Sequence, residues 1–111
     1  MRVERINTDG VVVLKLHGRL MGGPDSDYFR ELIVSLIEEG ARDVVVDLGK
    51  VSWINSTGMG ILLSAHNSLR RYGGDLKLVN VTSRIKNILY ITKLNLIFEC
   101  FDSLEDAIES F

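Results

Sequence analysis

Ser56 and Thr57 set two hydroxyls side by side, between Asn55 and the run Gly58-Met59-Gly60. Hydroxyls so placed can cap a helix, attack as nucleophiles or receive a phosphoryl group, and their neighbours decide among these roles. With Asn55 as the N-cap, its side-chain oxygen accepts from the backbone N–H of Thr57 or Gly58, two orphan donors of a first helical turn. Ser56 is then the first helical residue, and its hydroxyl is not needed for capping. Ile54 and Met59 have the spacing of a hydrophobic staple, which sets the angle at which the chain enters the helix. Gly58 and Gly60 leave the turn bare, so another surface could approach its backbone. Each glycine costs a helix interior roughly 1 kcal/mol relative to alanine, so two in one turn point to a packing or access requirement.

The competing chemistries are weaker. Most serines at a helix start are only caps. Gly58-Met59-Gly60 lacks the third glycine of a dinucleotide loop and the Gly-Lys-Ser/Thr of a phosphate-binding loop. A serine nucleophile needs a base and an oxyanion hole. No Gly-x-Ser-x-Gly elbow is present, and neither His17 nor His66 is placed near Ser56 by the sequence. Asp47 ends a strand as a receiver-domain phosphoacceptor does, but the acidic pair near the first strand is missing. The chain is therefore read as a non-enzyme. No Cys/His/Asp cluster surrounds either histidine, so no metal site and no cofactor is expected.

The elements that must position these residues alternate strand and helix. Val3–Ile6 and Val11–Leu16 read as a hairpin joined at Asn7-Thr8-Asp9-Gly10, with Asp-Gly suited to the turn. Gly18–Gly23 reads as a loop. Pro24 opens a helix with Asp25 and Asp27 in its first turn. Tyr28, Phe29, Leu32, Ile33, Leu36 and Ile37 form its apolar stripe, and Gly40 stops it. Asp43–Leu48 is a strand buried on both faces, followed by a turn at Gly49-Lys50. The helix from Ser56 runs to about Tyr72 and ends at Gly73-Gly74. Asp75–Val79 is a strand, and Thr82 or Ser83 caps a helix ending near Lys93. Leu96–Phe101 is a last strand or extended edge, with Cys100 as a small core residue. Asp102-Ser103 caps a terminal helix, Leu104–Ser110. Strands alternating with helices imply parallel crossovers.

Composition bounds the function classes. The chain has 111 residues, 46% hydrophobic and 25% charged, as expected of one soluble globular domain spanning 1-111. A formal net charge of -2 supplies no electrostatic drive toward nucleic acid. No apolar run approaches the roughly 20 residues that cross a bilayer. The N-terminus lacks a signal-peptide apolar region, and a single cysteine cannot form an internal disulfide, which fits the cytoplasm.

The fourteen residues Asp47–Gly60 resemble the signature of bacterial anti-sigma factor antagonists, the STAS-domain family: Asp-Leu-x-x-Val-x-x-apolar-Asp-Ser-Ser/Thr-Gly-Leu/Met-Gly. Asn55 stands where the family usually has Asp, and asparagine caps a helix as well as aspartate does. Gly18-Arg19-Leu20-Met21 resembles the family's Gly-x-apolar-Asp loop, with Met21 at the usually acidic or hydroxyl position. Met21 is either an apolar contact on a partner surface or a residue folded back over the core. The resemblance implies an α/β STAS-like fold: a mixed, mostly parallel sheet of 4-5 strands with an N-terminal hairpin, covered by about four helices. It implies phosphorylation of Ser56, with Thr57 as second choice, by a serine kinase that is also the anti-sigma factor. It implies partner contacts at Leu20, Met21, Gly22, Asn55, Ser56, Thr57, Gly58, Met59 and Gly60. A metal-dependent serine phosphatase would reset the switch, and the chain would be a monomer or weak homodimer. The alternative implied is a STAS scaffold or sensor subunit of a larger signalling complex.

Overall fold

The computed structural model describes residues 1–111. Arg2–Thr8 (β1) and Val11–Leu20 (β2) form the hairpin. Asp9 and Gly10 alone make its turn, both at positive φ, and Thr8 pairs with Val11 across it. Two consecutive positive-φ residues suit a two-residue connection between right-twisted strands, which is the reason Asp-Gly sits there. Pro24–Glu38 (α1), Asp43–Ile54 (β3), Ser56–Arg71 (α2), Asp75–Val79 (β4), Ser83–Ile91 (α3), Cys100–Phe101 (β5) and Leu104–Glu109 (α4) follow, with one 3-10 turn at Leu94–Leu96. The sheet is five-stranded in the order β1-β2-β3-β4-β5, antiparallel only between β1 and β2.

The helices divide over two faces. Phe29, Ile33 and Leu36 of α1, Leu62 and Leu69 of α2 and Ile85 and Leu89 of α3 share one core with Leu14, Leu16, Val44, Val46, Leu76 and Leu78. Ala107 of α4 closes a smaller cluster with Val11, Val13, Val45 and Val79 on the other face. Lys77 pins α4 there. Its buried ammonium donates to the Ser110 carbonyl at 2.9 Å and to Ser110 Oγ at 2.8 Å, and it lies 4.5 Å from the Phe111 ring centroid.

The structure corrects several expectations. Gly18–Leu20 are not a loop and Gly49-Lys50 are not a turn: both belong to strands. β2 and β3 stay paired in parallel to Leu20↔Ile54, through irregularities between Lys15 and His17 and between Gly18 and Arg19. Those irregularities re-aim the strand ends, and Leu20, Val51 and Ile54 are buried as a result. β4 pairs with β3 only as far as Asp47↔Val79, so Leu48–Ile54 overhang it. Tyr28 lies outside the α1 stripe and is exposed. The last strand shrinks to two residues: Leu96 ends a 3-10 turn, and Ile97–Glu99 form a turn and bend that carry the chain to Cys100. Cys100 is exposed, and Phe98 is the residue that enters the core.

Candidate functional site

Site construction begins where β2 and β3 end together. The backbone N–H of Asn55 donates to the Leu20 carbonyl at 3.4 Å, one further rung beyond the Leu20↔Ile54 pair. Asn55 is extended, at φ -109, and its Oδ1 accepts from the Gly58 N–H at 2.8 Å. The opposite end of the same amide, Nδ2, donates to the Met21 carbonyl at 3.1 Å. One side chain therefore caps α2 and ties down the β2–α1 connection. The two partners fix the amide orientation, because one is a donor and the other an acceptor.

Ser56 and Thr57 are both exposed at the first turn, but they face different surroundings. Successive helical residues diverge by about 100°. Ser56 borders a shallow cavity of about 420 Å³ between α2 and α3, with Met59, Leu63, Ile88 and Leu94 in its walls. Thr57 borders a second one, of about 210 Å³, between α1 and α2. Thr57 is also hemmed in by Gly22, where an added Cβ would stand 2.7 Å from the Thr57 methyl. That close approach is to the Thr57 methyl, and both hydroxyl-bearing residues remain exposed.

The glycines also divide. Gly58 faces inward, where any Cβ would collide with the Leu20 carbonyl oxygen. Gly60 faces open space, with nothing within 4 Å of a would-be Cβ. The bare turn thus meets a packing requirement at Gly58 and leaves the surface open at Gly60. Ile54 and Met59, the staple pair, are both buried in the main core.

Among the expected contact residues, Leu20, Gly58 and Met59 are buried and shape the surface from beneath. Met21, Ser56, Thr57 and Gly60 are exposed, and Gly22 and Asn55 are half-buried. Of the two placements open to Met21, the structure takes the outward one, at 38% exposure. The Leu63, Ile88 and Leu94 walls were not singled out in sequence, because grooves join residues from separate elements. No helix is long and apolar enough to cross a membrane.

The other reactive candidates are engaged elsewhere. Asp47 accepts from the Gly49 N–H at 2.9 Å and from Asn80 Nδ2 at 3.2 Å, a buried carboxylate that braces the start of the overhang. His17 lies against Glu4 at 3.1 Å. His66 lies against Asp75 at 3.4 Å and edge-on to Phe98. Desolvation pushes the Cys100 thiol above its usual range, with Lys86 opposing in part.

The STAS domain family matches residues 2–107. The anti-sigma-B factor antagonist of Bacillus subtilis is 34% identical over 80 residues, covering 72% of each chain. The anti-sigma-B factor antagonist of Staphylococcus epidermidis is 30% identical over 96 residues, covering 85% of this chain and 86% of that one. In fold, the chain is similar to the Bacillus cell fate determinant SpoIIAA in its phosphorylated form. That match has a TM-score of 0.76 at 22% identity and covers 98% of both chains.

Proposed function

The chain belongs to the STAS domain family, and on that premise we propose that it is an anti-sigma factor antagonist whose binding is switched at Ser56. Unmodified, it binds an anti-sigma serine kinase through the exposed ridge of Met21, Gly22, Asn55, Ser56, Thr57 and Gly60, and so releases a sigma factor for transcription. The kinase phosphorylates Ser56 and the complex dissociates; a metal-dependent phosphatase restores the hydroxyl. The site of action is the cytoplasm. The observation that carries this reading is the division of labour at α2: Asn55 does the capping, which leaves the exposed Ser56 hydroxyl free for chemistry.

Magnitudes say how the switch would act. A phosphate adds a charge of about -1.5 to -2. At a helix N-terminus a negative group is favourable by roughly 0.3–1 kcal/mol, so the domain stays folded. Inside an interface shaped for a hydroxyl, the same charge must be desolvated without a partner, which costs several kcal/mol. A loss of about 4 kcal/mol is roughly a thousandfold in affinity. The interface term is the larger, so affinity changes and fold does not.

The test is phosphosite mapping after incubation with the co-purifying kinase and ATP. Label on Ser56, abolished in Ser56→Ala with binding retained, is expected. Label on Thr57 would move the switch one residue. Binding without any label would return the chain to the scaffold or sensor class, where native mass would reveal a large assembly.

A further inference from the structure

We infer that Trp53, Arg84, Arg19 and Lys50 form a second interaction surface, beside the Ser56 ridge, that docks an acidic protein segment. Trp53 is half-exposed, at 43%, because β4 stops at Val79 and leaves the end of β3 uncovered. The Arg84 guanidinium, from the first turn of α3, lies 5.0 Å from the Trp53 ring centroid. Arg19 is the β2 partner of Trp53 in the sheet register, and Lys50 precedes Trp53 on the same overhang. All three cations are exposed.

Arg2, Arg5, Arg30, Arg70, Lys77 and Lys86 each lie within 4.0 Å of a carboxylate. Arg19, Lys50 and Arg84 have no such partner, as is also true of Lys15, Arg42, Arg71 and Lys93; what distinguishes the three is that the sheet register and the Trp53–Arg84 contact bring them to one end of β3. The first turns of α2 and α3 also contain no acidic residue, unlike those of α1 and α4. The positive ends of those two helix dipoles therefore add to the three cations. Stacking on an aromatic face holds a guanidinium flat and leaves its N–H edge free for bidentate carboxylate recognition. Neither the α1–α2 groove nor the α2–α3 groove is lined by these residues. Three exposed cations carried by three separate elements suit an extended segment bearing several carboxylates better than they suit a small molecule. The inference does not depend on modification of Ser56.

Trp53 is the only tryptophan and reports directly on its own surface. Titration of the unmodified chain with a hexaglutamate peptide, at about 50 mM salt where screening is weak, should change its fluorescence saturably. Hexalysine should not. Arg84→Glu should weaken binding at least tenfold. Arg19→Glu, which keeps the Trp53–Arg84 stack, should do the same, with unchanged circular dichroism in both. Absence of a saturable change, equal affinity of the variants, or an equal response to hexalysine overturns the proposal. Displacement of the peptide by equimolar ATP also overturns it, and assigns the surface to a nucleotide.

Discussion

Asn55 holds Met21: its Nδ2 donates to the Met21 carbonyl at 3.1 Å. An aspartate at this position could cap α2 equally well, but it could not make that bond. The asparagine thus gives the β2–α1 connection an anchor that a carboxylate would turn into a repulsion between two acceptors.

Asn55→Asp should lose one hydrogen bond worth about 0.5–1.5 kcal/mol and gain a charge–dipole term of roughly 0.3–1 kcal/mol. Thermal unfolding should therefore barely shift, while amide exchange in the Met21–Gly23 connection accelerates. Asn55→Ala loses both bonds and should cost about 2 kcal/mol. Equal exchange in all three proteins would remove the anchoring role.

The two glycines of the first α2 turn should respond oppositely to alanine. Gly58→Ala must displace the Leu20 backbone, and overpacking of this kind costs about 1–3 kcal/mol. Gly60→Ala adds a methyl in open space within a helix and should stabilise by roughly 0.5–1 kcal/mol. Denaturant unfolding measures both.

Ser56→Asp should fold normally and gain a few tenths of a kcal/mol, at most about 1, because the charge sits at a helix N-terminus. Its stability should fall back toward wild type as pH drops and the carboxylate is protonated. A Ser56→Asp variant that unfolds more readily than wild type at neutral pH would place the switch in the fold.

Cys100 should alkylate slowly with iodoacetamide at neutral pH despite its exposure. Desolvation raises its pKa, and the thiolate is the reactive form. The rate should rise with pH later than that of a free thiol. Lys86→Ala removes the opposing charge and should slow the reaction further.

The helices were legible because their signals are local. Pro24 at a helix start, the Asn55, Thr82 and Ser103 caps and the Gly40 stop all appear in the structure where short-range chemistry puts them. The strands read at Val11–Leu16, Asp43–Leu48 and Asp75–Val79 likewise appear, within β2, β3 and β4. Leu96–Phe101 misled because a short apolar run does not say whether it will coil or pair.

From residue order alone came the alternating architecture, the cap that frees Ser56 and the hydroxyl pair itself, since each rests on groups a few bonds apart. Tertiary structure decided the rest. The continuation of β2 and β3 through Gly18, Gly49 and Lys50 depends on a partner strand more than thirty residues distant, which no local pattern specifies. Which glycine packs and which lies open, and which groove each of Ser56 and Thr57 borders, follows from helix phase against the neighbouring elements. Those contacts exist only once distant backbone segments have met.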